Sequence, residues 1–382
     1  MNGIYFDNAA TTVPKPETVI AAVEQAMRTL GNSGRGAYEA ALGSMRTVYH
    51  AREQAARIFG AGSPSQIAFT MNATEALNMA IKGLIRPGDH VITTVLEHNS
   101  VLRPLYELEE RGASLSFLPC DEKGAVRLEL LEEQLRPETR AVVCTHASNV
   151  TGNGVDAARI GHFCREHGLL FLLDASQSAG ILETDLEKLG ADVICFTGHK
   201  GLFGPQGTGG LCVRKGVEIT PLLSGGSGIR SFQRRHPQEM PARLEAGTLN
   251  AHGLAGLAAG IDFVLEKGIG TIRQREQALV RRFQEGIREL PQIRIYGDPM
   301  AEDHTGVISF NIGEYDSALV SDELWVRFGI ASRPGAHCAP RMHEALGTKE
   351  QGVVRFSFSW FNTEEEIDAG IAAVRALAQE RR

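Results

Sequence analysis

Between residues 66 and 197 short apolar runs alternate with amphipathic ones, and no other feature of the chain restricts its fold as far. The runs Ile67–Thr70, His90–Leu96, Ser114–Pro119, Ala141–Thr145, Leu169–Leu173 and Asp192–Phe196 read as strands. Between them Thr74–Leu84, Val101–Arg111, Leu128–Leu135 and Ile160–His167 carry helical spacing. Apolar strands joined by amphipathic helices predict an α/β fold with a largely parallel sheet, covered on both faces. Gly209–Arg214 reads as an added edge strand joined by a short turn.

In such sheets ligands bind beyond the carboxyl ends of the strands, and here five strand ends carry polar clusters. They are Thr70–Glu75, Glu97-His98-Asn99, His146-Ala-Ser-Asn149, Asp174-Ala-Ser-Gln177 and Thr197-Gly-His-Lys200. Solvated loops alone explain one such cluster more easily than five.

Lys200 follows a buried-strand pattern and opens a glycine-rich loop. A desolvated lysine has a lowered pKa, which frees its amine for Schiff-base chemistry with a cofactor such as pyridoxal phosphate. The alternative is an ordinary surface-loop lysine. Asn72-Ala-Thr-Glu75 at a helix start offers free backbone amides to a phosphate, or is a plain N-cap. Asp174, ending an apolar strand, needs a cation or donors: a protonated pyridine nitrogen, a metal, or the next turn. Arg355 lies inside the strand pattern Val353–Phe358 on the face of Val353 and Ser357. A substrate carboxylate and a structural ion pair both suit it.

Six cysteines occur and none forms a C-x-x-C pair, so zinc-ribbon and thioredoxin readings have no support. Cys120, Cys144, Cys164, Cys195 and Cys212 lie in apolar patterns and read as small buried hydrophobes. Cys338 differs, because it follows Arg333-Pro-Gly-Ala-His337 in a polar, turn-rich segment. Reactivity and simple loop burial both remain open for it.

The rest of the chain reads as follows. Ile4–Phe6 is a short strand, a helix follows Pro16, residues 31–36 form a flexible loop with one arginine, and residues 38–60 form a helix. The loop-rich stretch 217–250 includes Ser224-Gly-Gly-Ser-Gly228, which follows no clear strand. Beyond it, helices Leu254–Lys267, Thr271–Leu290 and Ser317–Phe328 and strands Thr305–Ile312 and Val353–Phe358 suggest a smaller α+β domain. With 382 residues two domains are expected, the larger spanning 13–255 and the smaller 1–12 with 256–382. A formal charge of -7 argues against nucleic acid as a general partner. No apolar run reaches membrane-span length, and the first residues lack a secretory pattern. The expected location is cytoplasmic.

Taken together, Tyr5-Phe-Asp-Asn-Ala-Ala-Thr11, Asn72–Asn78, Glu97–Ser100, Thr145–Gly152, Asp174–Gln177, Thr197–Lys200, Glu245-Ala-Gly-Thr248, Arg333–Cys338 and Arg355 span nearly the whole chain. In that order they resemble the cysteine desulfurases of the class V aminotransferase group. These are fold-type I enzymes using pyridoxal phosphate, with a mainly parallel seven-stranded sheet in the large domain. The short Arg-x-Gly-x-His-Cys segment is similar to the branch of SUF-type desulfurases and selenocysteine lyases. The resemblance implies that Lys200 bears the cofactor and shuttles protons. Asp174 would pair the pyridine nitrogen, Gln177 the ring oxygen, and His98 would stack on the ring and serve as acid–base. Ala73, Thr74, Thr197 and His199 would hold the phosphate, completed by Gly247 and Thr248 from the other subunit of a homodimer with shared sites. Asn149, Arg333 and Arg355 would handle L-cysteine, with Ala9 and Ala10 lining its pocket. No metal is implied. Cys338 would carry a persulfide to an acceptor protein, for iron–sulfur clusters or other sulfur metabolism, as L-cysteine becomes L-alanine. The alternative implied is a selenocysteine lyase, or a C–S lyase on another sulfur amino acid.

Overall fold

The computed structural model describes residues 3–32 and 36–380. Arg35, the arginine of the 31–36 loop, lies outside the described residues. The chain opens with β1 (Ile4–Tyr5), α1 (Glu17–Thr29) and α2 (Glu39–Ile58). Alternation then runs through β2 (Ile67–Thr70), α3 (Ala73–Leu84), β3 (His90–Thr94), α4 (Asn99–Glu109), β4 (Ser114–Leu118), β5 (Thr139–Thr145) and α5 (Ala157–His167). It closes with β6 (Leu170–Asp174), α6 (Leu186–Leu189), β7 (Val193–Thr197) and β8 (Gly209–Val213).

These strands form one seven-stranded sheet in the order β2-β8-β7-β6-β5-β3-β4. All neighbouring pairs from β7 to β4 are parallel. Their apolar side chains feed two cores, one on each face, as buried strands with helical crossovers require. α3 shows why each helix sits where it does. Asn72 caps it through Glu75 N at 3.0 Å. Its buried Ala76, Leu77, Ala80, Ile81 and Leu84 then recur at helical spacing against the sheet. Burying each Leu or Ile contributes roughly 1.5–3 kcal/mol.

β8 departs from expectation, for it lies inside the sheet and not at its edge, antiparallel to both β2 and β7. Its glycines are the reason. A Cβ at Gly210 would stand 2.4 Å from the Ala68 carbonyl oxygen and 2.8 Å from the Phe196 ring. Only a bare backbone lets both neighbours close. The helix expected over Leu128–Leu135 is instead two 3-10 turns, Leu128–Leu130 and Glu132–Gln134. Pro137 lies just beyond and blocks a longer helix. Cys120 is half-exposed, while Cys144, Cys164, Cys195 and Cys212 are buried as expected.

The remainder comprises α7 (Ala251–Lys267), α8 (Ile269–Ile287), β9 (Ile293–Tyr296), β10 (Val307–Ile312), α9 (Ser317–Phe328), β11 (Ile330–Ala331), α10 (Pro340–Leu346), β12 (Val354–Ser357) and α11 (Glu364–Glu380). β12, β10 and β9 make a three-stranded antiparallel sheet. An aromatic core of Phe6, Phe283, Phe310, Phe356 and Phe358 joins it to α8 and α11. The first residues belong here too, because β1 pairs in parallel with β11. Buried residues of α7 lie in the core of the large sheet.

Candidate active site

The carboxyl ends of β2, β3, β5, β6 and β7 meet at one edge of the large sheet. There a cavity with about 490 Å³ of empty space is lined by Ala73, Thr74, His98, Asp174, Gln177 and Lys200, among others. Thr197, His199 and Asn149 share its wall. All nine candidates from these five strand ends line this cavity, and Arg355, which lies in β12 of the other sheet, reaches it through Asn149, whose carbonyl accepts from its Nη1 at 2.9 Å.

At one end, α3 begins at Ala73. Its first backbone amides have no partner within the helix, and the helix dipole favours an anion there. Thr74 adds its hydroxyl, 2.8 Å from the Ser100 hydroxyl. The N-cap reading of Asn72 and the anion-site reading hold together, since the cap uses Asn72 and leaves Ala73 and Thr74 free for a ligand. Gly209 of β8 makes the approach possible, as a Cβ there would stand 2.8 Å from the Asn72 backbone.

In the middle, His98 caps α4. Its Nδ1 accepts from Ser100 N at 3.0 Å, which leaves the ring proton on Nε2. Burial and the neighbouring Lys200 push its pKa down to about 4, so the imidazole is neutral. Asp174 accepts from the Ser176 amide at 2.9 Å and from the Ser176 hydroxyl, both at Oδ1. Among the described residues nothing bonds its Oδ2. Gln177 donates to the Ala9 carbonyl at 3.1 Å, leaving its own side-chain oxygen for a ligand.

Lys200 brings an amine to the cavity. Burial lowers its pKa from 10.5 to about 8, with Asp174 opposing and Arg355 and Arg333 assisting. At pH 7 about one such lysine in ten is uncharged, roughly 300 times more than at the ordinary value. The opening segment holds its loop. The His199 carbonyl accepts from Thr12 N at 3.1 Å and from Lys15 Nζ at 3.2 Å, and His199 Nδ1 meets the Thr11 hydroxyl at 3.0 Å. Burial sets His199 to about 4, so its ring is also neutral.

Arg355 is buried, with Nη2 on Asp7 Oδ1 at 2.8 Å. Its Nε has no partner among the described residues, so the ion pair and a substrate contact are compatible. Arg333 is exposed and pairs with Arg355 through the backbone at 2.9 and 3.2 Å. Cys338 is exposed. His337 and Cys338 both take left-handed backbone conformations, at φ 49° and 56°, which is costly for residues with a Cβ. Two bonds to the cavity wall hold them there. Asn149 Nδ2 donates to the His337 carbonyl at 2.7 Å, and Asn99 N to the Cys338 carbonyl at 2.7 Å.

Ala9 lines a second cavity behind Lys200, and Ala10 lines neither. Gly247 and Thr248 lie apart from both, in a surface groove with Gly226 and Ser227. Sequence reasoning passed over Ser100, Thr145 and Ser176, which also line the site. Ser100 and Ser176 stand within two residues of a chosen candidate, and Thr145 ends the strand that leads to Asn149. Asp7, the partner of Arg355, sits in the quoted opening motif but drew no role.

The donor set suits a flat, phosphorylated heterocycle: an anion seat at α3, a neutral ring for stacking, a carboxyl group for a ring nitrogen, and an amine. Residues 4–369 match the aminotransferase class-V family. The chain is 37% identical to a probable cysteine desulfurase of Methanothermobacter thermautotrophicus, covering 95% of this chain and 92% of that one. It is 35% identical to a probable cysteine desulfurase of Pyrococcus abyssi, covering 99% and 95%. The apo structure of a cysteine desulfurase from Thermococcus onnurineus superposes with a TM-score of 0.92 at 33% identity, over 99% of this chain and 95% of that one.

Proposed function

We propose, from the premise that the chain belongs to the aminotransferase class-V family, that it is a pyridoxal-phosphate-dependent cysteine desulfurase. It takes the sulfur of L-cysteine onto Cys338 and releases L-alanine. One observation carries this reading: the cavity that joins Lys200, Asp174, His98 and the start of α3 also anchors, through Asn99 and Asn149, the loop presenting Cys338.

When bound, the cofactor supplies an electron sink that stabilises negative charge at the substrate Cα. Lys200 would hold it through its amine, the α3 amides with Thr74, Thr197 and His199 would hold its phosphate, and Asp174 would pair its ring nitrogen. Arg355 Nε and Arg333 receive the substrate carboxylate, which fixes the amino acid between Lys200 and Cys338. Lys200 takes and returns the Cα proton, and a pKa of about 8 suits it to both at neutral pH. The Cys338 thiolate attacks the substrate sulfur. A sulfur–sulfur bond forms, the carbon–sulfur bond breaks, and its electron pair stays on carbon, which takes a proton. No outside oxidant is needed. The exposed persulfide is then open to an acceptor protein.

We further propose a homodimer in which Gly247 and Thr248 of one subunit complete the phosphate seat of the other. Exposed apolar residues on α1 and α2, including Ile20, Met27, Met45 and Tyr49, support an interface there. Among the described residues no helix is long and apolar enough to cross a membrane.

Mass spectrometry of the Cys338 peptide after exposure to L-cysteine tests the reading. An added sulfur is expected, with one alanine per sulfur transferred. If Cys338→Ala released sulfide from L-cysteine undiminished, the persulfide route would be wrong and an elimination on a sulfur amino acid would replace it.

A further inference from the structure

We propose that a buried water site behind Lys200, built by Glu276, Asn8 and Ser359, is the proton reservoir of that lysine. The inference rests on the reading of Lys200 as proton carrier. Lys200 and Gln177 line two cavities, and His98, Asp174 and the start of α3 line the front one. The rear one has about 330 Å³ of empty space, of which about 20 Å³ admits the centre of a water molecule. That is room for about one ordered water.

Three of its lining residues each present a buried polar atom with no partner among the described residues: Asn8 Oδ1, Glu276 Oε2 and Ser359 Oγ. All three side chains are almost fully buried, at 4%, 2% and 2% exposure. Buried polar atoms are rarely left unpaired, and three around one small cavity call for a shared partner. A water with two to four polar contacts supplies it. The Asn8 oxygen is fixed toward this role, because its Nδ2 donates to the Ser357 carbonyl at 2.8 Å and to Asn362 Oδ1 at 3.2 Å. Gly306 is shaped around the same carboxyl group, since a Cβ there would stand 2.9 Å from Glu276 Oε2.

Among the described lining residues only Glu276 and Lys200 titrate as acid and amine. Burial raises the Glu276 carboxyl group to about 8, against the backbone amides of Gly306 and Trp360. The same cause lowers Lys200 to about 8. At neutral pH the glutamic acid therefore holds a proton and can release it. In the step, Glu276 gives its proton to the water, the water gives one of its own to neutral Lys200, and a carboxylate and an ammonium remain. The transfer reverses when Lys200 next takes up a proton. Matched proton affinities keep it nearly thermoneutral in either direction. Glu276 touches neither substrate nor cofactor and acts only through the water.

Two measurements on Glu276→Gln test this. The first is the infrared difference spectrum between wild type and variant, without cofactor, at pH 7. A carboxylic acid carbonyl band present only in wild type is expected, and its absence overturns the proposal. The second is alanine formation in mixtures of light and heavy water. A curved dependence for wild type and a linear one for the variant are expected, with kcat down about tenfold and KM unchanged. A variant with wild-type kcat and curvature overturns the proposal. Ser359→Ala keeps the carboxyl group but loosens the water, so it should retain the band and lower kcat. If Glu276→Gln fails to fold, wild-type kcat in Ser359→Ala is the refuting result. A band without any desulfurase activity would instead refute the proposed function alone.

Discussion

Lys200 should weaken the folded chain it serves, and replacing it should strengthen that chain. Burial lowers its pKa from 10.5 to about 8. At pH 7 the lysine is charged in both states, and the gap of about 2.5 logarithmic steps corresponds to about 3 kcal/mol of lost stability. The sign follows from proton binding. Between pH 8 and 10.5 the unfolded chain keeps a proton that the folded chain has released, so stability rises with pH across that window. By pH 10 the penalty has fallen to about 1 kcal/mol. Lys200→Met keeps the apolar stem and removes the ammonium. Urea unfolding of wild type and variant, both without cofactor, should show the variant ahead by about 3 kcal/mol at pH 7 and about 1 kcal/mol at pH 10. A variant no more stable at pH 7 would refute the reasoning, and so would a difference that ignores pH.

Three further outcomes are expected. Arg52 and Glu245 form a two-point buried pair at 2.6 Å, with Phe69 N also on Glu245 at 2.8 Å, so Arg52→Ala should cost about 3–5 kcal/mol by urea midpoint. A loss below about 1 kcal/mol would count the pair as a surface one. Asn149→Ala removes the bond to the His337 carbonyl; hydrogen exchange at residues 336–339 should quicken, and sulfur transfer should fall about 10- to 100-fold. Glu97 is raised from 4.5 to about 8 by burial, so the folded chain holds a proton that the unfolded chain has lost. Wild-type stability should therefore fall as pH rises from 4.5 toward 8, by up to about 1.4 kcal/mol per unit. Glu97→Gln should gain on it steadily over that range, and a constant difference would contradict the assignment.

The large sheet was legible because burial on both faces writes itself as apolar runs. Strand limits at Ile67–Thr70 and the helix at Ser317–Phe328 match the structure to the residue. β8 was not, because what places it inside is absence of side chains at Gly209 and Gly210, and a missing Cβ reads equally as a loose edge. The candidate site was legible where a polar residue ended an apolar strand, as with Asp174 and Lys200. Arg355 showed only half of its environment, since its partner Asp7 comes from 348 residues away. Glu276 had a local signal that went unused. It stands on the buried stripe of α8 with Ile272, Leu279, Val280 and Phe283, where a carboxyl group has no business unless it is protonated or paired. The anchoring of Cys338 had no such signal, because the bonds from the Asn99 amide and the Asn149 side chain exist only once β3 and β5 lie side by side.

One physical cause then accounts for the acid–base character of the whole site. Burial disfavours charge, so it lowers a base and raises an acid. Lys200 comes down to about 8 while Glu97 and Glu276 go up to about 8. His98 and His199 fall to about 4 and stay neutral. Three groups that differ in water by about six logarithmic steps thus reach similar proton affinity just above neutral pH without needing a dedicated partner each. The same burial makes every one of them a liability to folding, which is why replacing Lys200 by Met or Glu97 by Gln is expected to stabilise the chain near neutral pH. Stability and proton transfer are opposed here through a single term. A variant that restored ordinary pKa values by opening the site to water would therefore gain stability and lose the match that lets protons move.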